Sequence, residues 1–296
     1  MLVIDVIWQA MDKNQFVPGI ASWQGRDTPD FVPLVTSSHL SWTIEGPRRC
    51  IGSRDASGHS IQCPEQSIVP ANGLRCGPCT AMDQLDPCIR CKGADCKASE
   101  SRRNRCQNSQ YAVYIAVFKD QTLKVGVSTL GRAKTRWLEQ GADFAGIIST
   151  ANNGLEARRI EESLGHLAGA TKQVSGQRKV SGITQHLDSS TAFNLAQSFL
   201  KSNNVTPPDS GFTLEDLSPY YGLSGIDAMP GSWRFSPESR ITQHLVGDVR
   251  GVKGSLLVTS TGSSFTVTNL KQLIGYTITL NPDATMIAQA GLLDFL

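Results

Sequence analysis

The stretch YAVYIAVFKDQTLKVGVS, Tyr111–Ser128, decides how the middle of the chain is read. Apolar residues fill Ala112–Phe118, a polar break follows at Lys119–Thr122, and Leu123–Val127 is again apolar and β-branched, so two short strands joined by a turn are expected. Tyr114 stands among apolar neighbours on the first strand, and Lys124 directly precedes Val125-Gly126 on the second.

Outward from it, LGRAKTRWLEQGA sets Leu130, Ala133 and Trp137 on one helical face, with Gly141 as a stop signal. FAGIIST reads as a third strand. After the turn ANNG, LEARRIEESLGHLAG carries a helical stripe of Leu155, Ile160, Leu164 and Leu167, its arginines facing outward. A further helix over about Thr191–Lys201 follows Ser189 and Ser190 as caps. The order strand, strand, helix, strand, helix predicts a compact α+β domain over 109–203, an antiparallel sheet flanked by helices.

Two β-rich regions flank this domain. Residues 1–48 hold the apolar runs LVIDVIW and FVPLV broken by Pro18, Gly19, Gly25 and Pro29, and residues 204–296 begin with a linker-like VTPPDSG and continue into three expected strands across GSLLVTSTGSSFTVTNLKQLIGYTITL. No basic segment followed by an apolar run opens the chain, and no run of about 18 apolar residues occurs, so a soluble, cytoplasmic protein without a membrane partner is expected.

Net charge is +2 for the whole chain. Residues 90–179 hold 16 Lys/Arg against 8 Asp/Glu, leaving 12 against 18 elsewhere. A basic middle set against an acidic remainder is the pattern of a domain that faces a polyanion.

All eight cysteines lie between Cys50 and Cys106. Two are C-x2-C pairs, Cys76/Cys79 and Cys88/Cys91; a two-residue gap lets a tight turn aim both thiolates at one tetrahedral ion. Segment 49–108 is therefore read as zinc-binding, with two structural ions. Chain order assigns Cys50, Cys63, Cys76 and Cys79 to one and Cys88, Cys91, Cys96 and Cys106 to the other; joining the two C-x2-C pairs on a single ion is the competing partition. Cys76-Gly77-Pro78-Cys79 is also a redox tetrapeptide, but the hydrophobic strand before it and the helix after it that such chemistry uses are not evident.

The ordered set Ala112-Val113-Tyr114, Lys124-Val125-Gly126, Thr135-Arg136-Trp137 and Glu156–Leu164 resembles the GIY-YIG nuclease superfamily over about residues 110–170. The resemblance implies catalytic roles for Tyr114, Lys124, Arg136 and Glu161. Glu161 would hold Mg²⁺ or Mn²⁺, with Glu162 and Glu156 as fallbacks, and Arg132, Lys134 and Arg158 would bind substrate. Lys124 departs from the tyrosine most members carry. A phosphodiesterase needs a base, a cation for developing phosphate charge and a metal at the leaving oxygen. In that scheme the Lys124 ammonium lowers the Tyr114 pKa and makes it the base. The cysteine cluster, KVGVS, TRWLEQGA and GVKGSLL together also resemble a prokaryotic family known only as a domain of unknown function. The resulting expectation is a divalent-metal-dependent nuclease acting on DNA or RNA. The alternatives are a non-catalytic zinc-containing nucleic-acid-binding module, or the same scaffold acting on a tRNA-linked or small phosphorylated substrate.

Overall fold

A computed structural model of the chain describes residues 1–12, 14–206, 211–224, 226, 232–235 and 244–281. The protein is a mixed α+β structure with mostly antiparallel sheets. From the N-terminus run β1 (Leu2–Asp12), β2 (Gln15–Trp23), β3 (Asp30–Pro33) and β4 (His39–Glu45). The cysteine segment has only short elements: β5 (Ser53–Arg54), β6 (Ser60–Ile61), α1 (Gly77–Met82), α2 (Asp86–Ile89) and α3 (Glu100–Gln107). The middle holds β7 (Tyr111–Val117), β8 (Leu123–Thr129), α4 (Ala133–Gln140), β9 (Phe144–Ala151), α5 (Gly154–Gly165), α6 (Gly176–Ser181) and α7 (Ser189–Ser202). The remainder contributes β10 (Glu215–Asp216), β11 (Ser232–Phe235), β12 (His244–Lys253), β13 (Leu256–Thr261), β14 (Ser264–Asn269) and β15 (Thr277–Leu280).

Strands from both ends of the chain share one nine-stranded sheet of order β11-β14-β13-β12-β4-β15-β1-β2-β3. The two regions read separately in the sequence thus interleave: β4 lies between β12 and β15, and β1 pairs with β15. Sequence reading also missed β2, because Pro18-Gly19 looks like a turn. Gly19 is instead what admits β3: a Cβ there would fall 2.3 Å from the Phe31 ring. The linker reading at 205–211 falls largely on residues outside those described.

A second sheet, β10-β9-β7-β8, supplies two apolar faces by the alternation of β7. Val113, Ile115 and Val117 meet Ala157 and Leu164 of α5 and Ala192, Ala196 and Phe199 of α7. Ala112, Tyr114, Ala116 and Phe118 belong instead to a core shared with Val3, Trp8, Ile20 and Leu257 of the large sheet. Helix α4 fills the space between the sheets and buries Trp137, Leu138 and Gln140. The cap of α7 is Asp188, which accepts from Thr191 N–H, rather than Ser189 or Ser190.

The layers are tied where α4 ends. Gly141 (φ 68°) and Gly254 (φ 64°) both need positive φ, and a Cβ on Gly254 would lie 2.9 Å from the Gly141 nitrogen. Beside them the Lys253 ammonium donates to both Asp143 carboxylate oxygens at 2.7 and 2.8 Å, both side chains almost fully buried. Asp143 also accepts from Lys119 N–H, and Trp8 Nε1 donates to Gly254 O. The sequence motifs TRWLEQGA and GVKGSLL therefore meet at this interlayer contact.

Candidate functional site

The cysteine segment gathers Cys50, Cys63, Cys76 and Cys79 with all four sulfurs within 4.8 Å of one another. Cys50 Sγ lies 3.6 Å and Cys63 Sγ 3.9 Å from Cys76 Sγ, against the roughly 3.8 Å edge of a tetrahedron with Zn–S near 2.3 Å. Gly52 N–H and Cys76 N–H donate to Cys50 Sγ, as a thiolate requires. Burial opposes ionisation of Cys63, yet amides of Ser67 and Glu65 and the thiols of Cys50 and Cys79 bring it down to about 7. These four cysteines fit a metal such as zinc in a closed site. Asp83, almost fully buried, braces it by pairing with Arg54 and Arg75 at 2.9 Å each.

Cys88, Cys91, Cys96 and Cys106 line one small cavity of about 80 Å³ together with Tyr111 and Arg158. Gly93 N–H donates to Cys91 Sγ, Arg102 Nε approaches Cys88 Sγ at 3.5 Å, and a Cβ on Gly154 would fall 2.4 Å from Cys106 Sγ. Among the described residues only the first four have closed to mutual ligand distance.

A cleft of about 600 Å³ runs between the cysteine segment, β8 and α4. Lys124, Arg132, Arg136, Arg158 and Glu161 all line it. Arg132 and Arg136 donate to the two oxygens of Glu139 at 2.8 and 3.1 Å, so one carboxylate aims both guanidinium groups. Sequence reading missed Glu139, although its i,i+3 spacing from Arg136 was the available signal. Arg158 bonds Glu161 at 2.7 Å. The Lys124 ammonium has no hydrogen bond or ion pair among the described residues, and burial, with Arg136 nearby, lowers its pKa. Gln140, only 8% exposed, borders the cleft, its buried Oε1 lying near the Tyr114 hydroxyl and lacking a well-formed hydrogen bond among the described residues.

Three residues fall elsewhere. Tyr114 lies beneath the cleft, fully buried, its ring edge-on to Trp137 at 6.0 Å and its hydroxyl near Gln140 and Arg136 but without a well-formed hydrogen bond among the described residues. It pairs with Gly126, where a Cβ would meet the tyrosine ring and hydroxyl at 2.5 Å; this is why glycine stands after Lys124-Val125. Burial pushes the Tyr114 phenol up, against the expectation of a lowered pKa, because desolvation outweighs the nearby Arg136. Lys134 points away, pairing with Glu215 at 2.5 Å and resting over the Tyr220 ring at 4.6 Å. Glu162 is engaged by Lys172 and His166 on the surface.

Fold and site together define an α+β protein with a four-cysteine centre and a basic cleft, and no helix among the described residues is long and apolar enough to cross a membrane. Residues 38–278 match the model of DUF2797, described as a protein of unknown function, and the chain belongs to that family. The match corrects the resemblance to GIY-YIG nucleases: the family model spans most of the chain and is a different one, whereas the short tripeptides that suggested it lie where Gly126 packing and the β7–β8 hairpin already account for them. No curated protein and no solved structure matches the chain.

Proposed function

We propose that the basic cleft binds nucleic acid through its phosphates, with the zinc-bearing segment as one wall. The observation that carries this reading is the convergence of Lys124, Arg132, Arg136 and Arg158 on one cavity. Guanidinium forks held by a shared carboxylate are pre-aimed at phosphate oxygens. In this reading the second cysteine set also holds zinc, fastening α3 to the start of α5 and so shaping the cleft wall.

Phosphodiester hydrolysis is the second reading, favoured by the Glu161 carboxylate inside the same cavity as the cations. Glu161 would hold Mg²⁺ or Mn²⁺, which would stabilise charge on the leaving oxygen. Tyr114, kept neutral by burial, would support the site rather than abstract a proton. A tRNA-linked or small phosphorylated substrate would use the same phosphate contacts.

Fluorescence anisotropy with labelled oligonucleotides at low salt tests the binding. Wild type is expected to bind with a steep loss of affinity as salt rises, and Arg132→Ala/Arg136→Ala to lose at least tenfold. Salt-independent binding, or none, would refute it. Cleavage that survives Glu161→Gln would refute the metal assignment, and Glu161→Gln is expected to leave binding nearly intact.

A further inference from the structure

The cleft does not end at α4. A second cavity, of about 650 Å³, shares Arg132, Arg136 and Glu139 with the first and extends to the edge of β1–β3. Lys271 adds a cation there, Arg54 is held by Asp83, and Ile4, Val6, Phe31 and Leu85 make it more apolar. Two carboxyls also line this stretch: Asp5, which accepts from Val6 N–H, and Asp30, which pairs with Arg26. The joined groove thus has a cationic middle where the two cavities meet, one half-buried aromatic among the lining residues of each cavity (Tyr111 and Phe31), and walls from two layers of the fold.

We infer that this groove takes an unpaired strand of nucleic acid, phosphates at Arg132 and Arg136 and bases toward Tyr111 on one side and Phe31 on the other. The inference rests on the phosphate-binding reading above and adds the strand's state and path. Size decides it: each cavity falls in the roughly 300–1,000 Å³ range of a small-ligand pocket, room for one or two nucleotides. A duplex presents a major groove alone about 12 Å wide and keeps its bases stacked inside, so it reaches neither aromatic. Single strands are held in the combination seen here, a positive channel with aromatic platforms that any base face satisfies.

The test uses the full-length zinc-loaded protein and anisotropy with a 12-nucleotide single strand, its blunt duplex, and oligothymidylates of two to eight nucleotides. Single strand is expected to bind at least tenfold tighter than duplex, with affinity rising steeply to about four nucleotides and only slightly beyond. Lys271→Ala, an exposed position in a short 3-10 helix, is expected to weaken the 12-mer several-fold and to reduce the log–log salt slope by about 0.7. Equal or tighter duplex binding, or an unchanged slope in Lys271→Ala, overturns the unpaired-strand inference and leaves the phosphate-binding reading standing. Failure of every nucleic acid to bind at low salt overturns both.

Discussion

Asp143→Asn is expected to be the most damaging single-atom exchange in the protein. The Asp143 and Lys253 side chains are 3% and 4% exposed, and the ammonium has both carboxylate oxygens within 2.8 Å. Asparagine keeps an acceptor for Lys119 N–H but leaves the ammonium without a counter-charge, and breaking such a buried pair costs about 3–5 kcal/mol. At roughly 2 °C per kcal/mol for a chain of this size, Tm should fall by about 6–10 °C. Lys253→Met added to Asp143→Asn removes the stranded charge and retains most of the buried stem. The double variant should therefore recover more than half of the loss. Urea titration followed by tryptophan fluorescence reads both, since Trp8 is bonded to Gly254 next door. A single variant that loses under about 1 kcal/mol, or a double variant no better than the worse single, would show that the pair does not fasten the two layers.

Three further outcomes are expected. Tyr114→Phe should cost no more than about 1.5 kcal/mol at pH 7, because the hydroxyl it deletes makes at best weak contacts with Gln140 and Arg136, and it should flatten the alkaline limb of stability. The sign follows from the raised phenol pKa: the folded state holds its proton while the unfolded tyrosine loses it near pH 10, so stability drops above that pH in wild type, and absorbance at alkaline pH should show one tyrosine ionising only on unfolding. Gly126→Ala should cost about 1–3 kcal/mol by driving a methyl into the Tyr114 ring, and an unchanged denaturation midpoint would contradict the close packing. Cys63→Ser should lose one metal equivalent by elemental analysis and melt the segment around it; full metal retention would refute the Cys50, Cys63, Cys76 and Cys79 assignment.

The hairpin at Tyr111–Ser128 was legible because apolar alternation, a polar turn and a second apolar run all agree there, and the structure places β7 and β8 within a residue or two of the reading. The first cysteine tetrad was legible for a similar reason: metal-ligand spacing is a local signal. The shared nine-stranded sheet was not, since which strand lies beside β4 is settled by pairings more than 200 residues apart. Arg132, Arg136, Arg158 and Glu161 were named through a resemblance that the family match corrects, although all four line one cavity; the same resemblance misplaced Lys134, whose partner Glu215 lies some eighty residues further along the chain. For Tyr114 the sequence shows an ionisable ring but not its complete enclosure, and enclosure sets the direction of its pKa.

The placement of β4 also has a temporal meaning. During synthesis β1, β2 and β3 can pair as they emerge, and the cysteine segment and the β7–β9 unit depend mostly on contacts near in sequence. Strand β4, however, waits with both edges open until β12 and finally β15, residues 277–280, leave the ribosome. The nascent chain must therefore carry an unpaired apolar strand, holding Leu40, Trp42 and Ile44, through most of its translation. If the four-cysteine centre that follows β4 takes up metal as it emerges, the growing chain gains a folded unit before that strand's neighbours arrive, and metal starvation during synthesis would then favour aggregation.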